Sequence, residues 1–219
     1  MRIVFATGNR GKLREAQEIL GDAFQLVTPA DLGLTEDIPE TGDTIRDNSL
    51  QKAHYVKDHL DADCFADDTG LEVEILAGRP GVHTARYGGP EKDFDVNMDR
   101  LLADMVLREK EAAMARSLGV STPHANRRAC FRTVVSLILG GEVHTFDGVL
   151  EGTIARSKRG SGGFGYDPVF IPDEIPAPDG SLVPNTERLT LAQLSEEDKN
   201  AISHRGKAIR AMAAFLHEK

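Results

Sequence analysis

Apolar and polar positions change their period along this chain in a way that predicts alternating strands and helices. Arg2 to Ala6 is a short run of β-favouring residues, and Leu13, Ala16, Ile19 and Leu20 then recur at helical spacing, so the chain opens as strand, loop and helix. A second strand is expected around Gln25 to Thr28, followed by an acidic, Pro-containing loop from Thr35 that ends in Glu40-Thr41-Gly42. Asp43 or Thr44 can cap the next helix, whose Ile45, Ser49, Ala53, Val56 and Leu60 make one face. The apolar strand Cys64 to Ala66 leads into Asp67-Asp68-Thr69-Gly70, Val73 to Leu76 reads as another short strand, and Gly78-Arg79-Pro80-Gly81 reads as a turn. From Phe94 to Leu118 the pattern is helical, and Arg108-Glu109-Lys110-Glu111 reads as a solvent-facing surface with i,i+4 pairs rather than a site. After the breaker Ser121 to Ala125, the runs Ala129 to Leu139 and Glu142 to Val149 read as strands joined at Gly140-Gly141, a hairpin that makes the sheet mixed. Ile171 to Thr186, with four prolines and little periodicity, reads as a long surface loop. Ser195 caps a helix through Ile202, and a last helix is expected from Ala208 to Leu216. Alternation of this kind belongs to an α/β fold.

The length, 219 residues, suits one domain spanning 1-219, with ample material for a core. A formal net charge of -9 disfavours a nucleic-acid polymer as partner, because duplex binding relies on many cationic phosphate contacts. A single nucleotide carried with Mg²⁺ remains compatible with it. Cys64 and Cys130 both lie in apolar runs, where unpaired cysteines behave as small buried hydrophobes, and they point to reduced thiols and a cytoplasmic setting. No apolar run approaches the roughly 20 residues of a membrane span, so no membrane is expected as partner.

The candidate chemistry sits in glycine-containing loops. Asp67-Asp68-Thr69-Gly70 places adjacent carboxylates at a strand end, which suits a divalent metal; the same residues also read as a solvated turn. Thr7-Gly8-Asn9-Arg10-Gly11-Lys12 fails the P-loop pattern at Ala6 and Leu13, so the chain is not a P-loop NTPase. A glycine turn opening a helix still presents N–H groups and a positive dipole end to an anion, with Thr7, Asn9 and Lys12 adding a hydroxyl, an amide and an ammonium. An ordinary strand-to-helix turn is the alternative. Gly160 to Pro168 carries Phe164 and Tyr166 among glycines, and these rings either stack on a flat base such as a purine or anchor the loop to the core. Lys199 and Ser203-His204-Arg205-Gly206 place cations between two helices, where they serve a ligand or merely the helix dipoles.

Taken together these segments resemble the inosine triphosphate pyrophosphatase family, also called Ham1-like. The resemblance rests on Thr7-Gly8-Asn9-x-x-Lys12-x-x-Glu15, Ala66 to Leu71, Pro80-Gly81-Val82 with Ala85-Arg86-Tyr87, Gly162 to Pro168 and Ile202 to Gly206, which span nearly the whole chain in the family's order. It implies an elongated α/β homodimer, each chain a single domain of two lobes around a long mixed β-sheet with a substrate cleft between them. It further implies Mg²⁺-dependent hydrolysis of ITP, dITP and XTP to the monophosphate and pyrophosphate. On the same ground, Thr7, Gly8, Asn9, Arg10, Gly11 and Lys12 match the triphosphate-binding loop, and Glu40 and Asp68 match the acidic metal-site and general-base positions. Asp67 is a supporting carboxylate, Thr69 stands beside the substrate, and Phe164, Gly165, Tyr166 and Asp167 match the base-binding loop, with Lys199, His204 and Arg205 at further nucleotide positions. An Arg205 guanidinium, which can only donate, is expected to donate to a purine 6-carbonyl and so to favour hypoxanthine and xanthine over adenine. His83-Thr84 departs from the family pattern, and the segments near Val106 to Asn126 and Pro172 to Glu187 are longer than in a compact bacterial member. A binding module without turnover and a pyrophosphatase for modified pyrimidines are the competing readings, which a substrate panel with pyrophosphate detection separates.

Overall fold

The computed structural model describes residues 1–122 and 124–218. In chain order its elements are β1 (Arg2–Phe5), α1 (Arg10–Leu20), β2 (Gln25–Val27), α2 (Ile45–Leu60), β3 (Cys64–Val73), β4 (Pro80–Gly81) and α3 (Phe94–Ser117). There follow β5 (Arg128–Leu139), β6 (Glu142–Ile154), β7 (Phe170–Pro172), β8 (Glu174–Pro176), β9 (Leu182–Pro184), α4 (Glu196–Ile202) and α5 (His204–His217). The main sheet has the order β2-β1-β3-β5-β6-β7, with β4 paired to β3, while β8 and β9 form a separate hairpin. β1 is parallel to β2 and β3, whereas β4 on β3 and β7 on β6 are antiparallel, so the fold is α/β with a mixed sheet. Among the described residues no helix is long and apolar enough to cross a membrane.

The chain divides into two compact units, one made of Met1–Thr69, Arg132–Val149 and the chain from Ser203, the other of Gly70–Phe131 and Leu150–Ile202. In the first unit β1 is buried along Ile3, Val4 and Phe5, as a strand covered on both faces must be. Strand alternation sends Ile3, Phe5 and Phe65 to one face, where they pack with Ala16 and Leu20 of α1 and Ile209 and Met212 of α5. Val4, Ala6, Cys64 and Ala66 take the other face, against Ala53 and Val56 of α2. Thr44 caps α2 by accepting from the Asp47 N–H, and Ser203 caps α5 by accepting from Gly206. Gly148 in β6 lets α5 begin against the sheet, because a Cβ there would collide with the His204 carbonyl. The second unit gathers Leu71, Val73, Leu101, Met105, Phe131, Ile154 and Phe170 into its own core.

Several sequence expectations are corrected. Asp67-Asp68-Thr69-Gly70 is not a turn: β3 is one continuous strand of 10 residues through all four positions. Pairing of Phe65 with Phe5 and of Leu71 with Gly81 holds it extended, so tertiary pairing overrides local turn chemistry. Glu74–Leu76 is a 3₁₀ turn that follows β3 rather than a strand of its own. The proline-rich stretch from Ile171 is not a plain loop, since it contributes β7 to the main sheet and the β8-β9 hairpin, with Pro172, Pro176 and Pro184 at strand ends. In α3 the charged run makes an i,i+3 pair between Arg108 and Glu111, while Glu109 turns to Arg127 at 2.8 Å. The last helix begins at His204, which puts Arg205 in its first turn rather than in a loop. Both cysteines are free, Cys64 buried and Cys130 partly so.

Candidate active site

Because side chains alternate along a strand, Asp67 and Asp68 leave β3 on opposite faces. Asp67 follows Phe65 to the side of α1 and α5. There Lys12 Nζ lies 2.9 Å from its carboxylate and Arg205 Nε donates to it at 3.0 Å. The Asp67 side chain is 1% exposed, which alone would push its carboxyl up, but Lys12, Arg205 and Lys52 outweigh burial and hold it well below the usual carboxylate range. Arg205 also donates from Nη1 to Glu15 at 3.2 Å, and Ser203 reaches the other Glu15 oxygen at 3.3 Å. His204 beside it is half-buried, and desolvation of its ring together with Arg205 lowers its imidazole to about 3, so it is neutral near pH 7.

Asp68 follows Ala66 to the α2 side, where Lys52 Nζ donates to it at 3.0 Å and to Glu40 at 2.6 Å. Burial pushes the Asp68 carboxyl up despite the pull of Lys52. Burial also opposes the charge on Lys52, but Asp68, Asp67 and Glu40 raise its pKa overall. The two carboxylates meet at the Lys52 ammonium, and both offer oxygen donors of the kind a hard divalent ion takes. Among the described residues no group of three His, Cys, Asp or Glu side chains is placed to hold a metal. Two carboxylates do not enclose an ion, so a divalent ion held by Glu40 and Asp68 would take its other ligands from water or substrate.

The first loop is a capped helix start. Asn9 Oδ1 accepts from the Gly11 and Lys12 N–H groups at 2.8 and 3.1 Å, and Thr7 Oγ1 accepts from the Asn9 N–H at 3.1 Å. The Asn9 side chain thus takes N–H groups that the sequence reading offers to an anion, leaving Gly8 and Arg10 to supply theirs, with open space beside Gly8. Thr69, half-buried in β3, shares a 2.7 Å hydrogen bond with Thr133.

In the second unit the aromatics of the glycine-rich loop divide their roles. Tyr166 is buried and its hydroxyl donates to the Thr84 carbonyl at 2.9 Å, so it anchors the loop. Phe164 is 69% exposed, a ring presented to solvent. Asp167 accepts from the Phe164 N–H at 3.1 Å, and Lys199 sits 3.6 Å from Asp167 and 2.6 Å from Glu196. Burial raises the Asp167 pKa against the Phe164 N–H and Lys199. Gly163, at φ 75, has no room for a Cβ between Asp167 and Lys199, which explains glycine there.

Sequence reading missed Lys52, and it named Glu15 in the first motif without giving it a role. The signal for Lys52 was present: it falls on the same face of α2 as Ile45, Ser49 and Val56, where a lysine is buried only if it is paired.

Comparison with known proteins bears on this arrangement. A model of the Ham1 family matches residues 3–215. A relative from Porphyromonas gingivalis named dITP/XTP pyrophosphatase is 44% identical over 98% of this chain and 97% of its own. Another of that name from Flavobacterium psychrophilum is 41% identical over 99% of both chains. The solved structure of a HAM1 protein from Coxiella burnetii, 30% identical, superposes with a TM-score of 0.83 over 100% of each chain.

Proposed function

The chain belongs to the Ham1 family, and on that premise we propose that it is an Mg²⁺-dependent nucleoside triphosphate pyrophosphatase. Its substrates are dITP, ITP and XTP, which it converts to the monophosphate and pyrophosphate, clearing them from the nucleotide pool before they enter DNA or RNA. The observation that carries the reading is the convergence of Glu40 and Asp68 on the buried Lys52 ammonium, one residue along β3 from the Lys12–Asp67–Arg205 cluster.

In this reaction water attacks the α-phosphorus, the bond from that phosphorus to the α,β-bridging oxygen breaks, and pyrophosphate leaves with the electron pair. Asp68 accepts the proton of the attacking water, a role suited to a carboxyl whose pKa burial has raised. Lys12 supplies positive charge where negative charge collects on the phosphate oxygens, and Asp67 fixes the direction of its ammonium. Glu40 and Asp68 would hold the divalent ion, which when bound neutralises charge on the triphosphate. Thr7, Gly8, Asn9, Arg10 and Gly11 contact the phosphates, with Thr69, Lys199 and His204 as further contacts, and Gly165, Tyr166 and Asp167 shape the base loop. Arg205 contributes through N–H groups beyond those given to Asp67 and Glu15. A single catalytic domain, a homodimer and a cytoplasmic location complete the proposal, the last supported by the two free cysteines.

The test is pyrophosphate release from ITP, XTP, dITP, ATP, GTP and dUTP with and without Mg²⁺. Release from the first three, lost without the metal, is the expected result; release of inorganic phosphate, or equal rates on ATP, overturns the proposal. Exposure of Phe164 predicts that Phe164→Ala raises KM for ITP by roughly 5- to 100-fold, since stacking a base on an aromatic ring is worth about 1–3 kcal/mol. An unchanged KM would remove Phe164 from base binding. Glu40→Gln is expected to raise the Mg²⁺ concentration for half-maximal rate at least about tenfold, and an unchanged titration curve counts against Glu40 as a ligand.

A further inference from the structure

The loop that carries Glu40 is laid along α2 residue by residue, in antiparallel order. Lys52 Nζ holds the Glu40 carboxylate at 2.6 Å. Gln51 clasps Thr41 twice, its Oε1 accepting from the Thr41 N–H at 2.8 Å and its Nε2 donating to Thr41 Oγ1 at 2.9 Å. Asn48, buried on the apolar face of α2, accepts from the Gly42 N–H at 2.7 Å and extends its amide to Asp68 at 3.5 Å. Farther out Tyr55 donates to Glu36 at 3.1 Å. Gly42 is confined to glycine by this closeness, because a Cβ there would lie 2.6 Å from the Asp47 Cβ and 2.9 Å from the Asn48 nitrogen.

Loop residues 40, 41 and 42 are thus matched to helix residues 52, 51 and 48, which the spacing of three and four places on one side of α2. A carboxylate on an acidic, proline-containing loop has many orientations open to it, and each one it must abandon on binding an ion weakens that binding. Gln51 and Asn48 remove that freedom by holding the Thr41 and Gly42 N–H groups. Asn48 also ties the loop to Asp68, the other carboxylate of the pair.

We propose that Gln51 and Asn48 are positioning residues that preset the Glu40 carboxylate for a divalent cation, through Thr41 and Gly42. The proposal rests on the reading of Glu40 as a metal-site residue. Gln51, half-buried at the loop edge, is the residue to change, since its loss leaves the core of α2 intact.

The experiment compares wild type, Gln51→Ala, Gln51→Glu and Glu40→Gln by hydrogen exchange at the Thr41 and Gly42 amides and by direct Mn²⁺ binding, followed by electron paramagnetic resonance. Gln51→Ala is expected to speed exchange at Thr41 and to weaken Mn²⁺ binding about tenfold, the lower end of what losing a ligand's supporting partner costs. Its kcat at saturating metal is expected to stay within about twofold of wild type. Gln51→Glu, which keeps the acceptor for the Thr41 N–H, is expected to restore both readouts. Faster exchange with unchanged Mn²⁺ binding overturns the proposal, as does unchanged exchange in Gln51→Ala. If Glu40→Gln itself binds Mn²⁺ like wild type, the metal-site reading of Glu40 fails and the proposal falls with it, an outcome distinct from failure of Gln51 alone.

Discussion

Asp68→Asn is expected to lower kcat by roughly 100- to 10,000-fold while ITP still binds. The amide keeps the planar shape of the carboxylate on the α2 face of β3, and the apolar cluster of Ala66 and Val56 on that face does not involve Asp68. What disappears is the ability to take a proton from water, for which general-base catalysis supplies rate factors of that size, together with the negative charge Asp68 would offer the divalent ion. Lys52, 3.0 Å away, keeps Glu40 as its partner, so the substitution does not strand a buried ammonium. Single-turnover kinetics on ITP, with binding measured separately by calorimetry, checks the expectation. Turnover within tenfold of wild type would remove Asp68 from the proton-accepting role, and loss of binding together with turnover would recast it as a substrate-holding residue.

The second large effect concerns stability. Asp67→Ala is expected to cost about 3–5 kcal/mol of unfolding free energy, because removing one member of a buried ion cluster leaves opposite charges uncompensated in a medium that solvates them poorly. Lys12 and Arg205 both converge on this carboxylate, and Arg205 retains only Glu15 of the two acids seen to hold it. Urea denaturation followed by circular dichroism gives the number, and a loss under about 1 kcal/mol would show that the cluster is not the anchor its geometry suggests. The pH dependence has a definite sign. A carboxyl whose pKa is depressed by folding contributes stability above its unfolded value of about 3.9, and that contribution is lost as pH falls through the folded value. Asp67 therefore keeps its full effect at neutral and mildly acid pH, and its loss is confined to strongly acid solution.

The parts of the fold that were legible in the sequence are those where local period and tertiary environment agree. β1, α1 and α2 show their buried faces as spacing, and Gly140-Gly141 joins β5 and β6 as its turn chemistry requires. The misreadings arise where they conflict. Asp67 to Gly70 carries turn-forming residues inside a strand, and only the partners of β3, remote in sequence, hold it straight. β7 to β9 hide behind prolines that are tolerated at strand ends. The site shows the same division. The acids and the loop glycines stand out as residue types, whereas Lys52, Gln51 and Asn48 look like ordinary helix residues until the loop before α2 folds back onto them. Asn9 was legible as a polar loop residue, but its use as the cap of α1 depends on the turn geometry.

The pleat of β3 makes sequence parity as important as sequence identity at this site. One residue inserted between Ala66 and Asp67, with the pairing of Phe65 to Phe5 kept, would deliver the first aspartate to the α2 side in the place Asp68 now holds, and carry the second two positions past the place of Asp67 on the side of α1 and α5. Both carboxylates would still be there, and composition would record no loss. Lys12 and Arg205 would face the inserted residue, with the acid on their side about 6.6 Å farther along the strand, while Lys52 and Glu40 would still meet a carboxylate in place. A single-residue insertion at that point thus injures the Lys12 and Arg205 side as an alanine at Asp67 would, although neither acid has been lost.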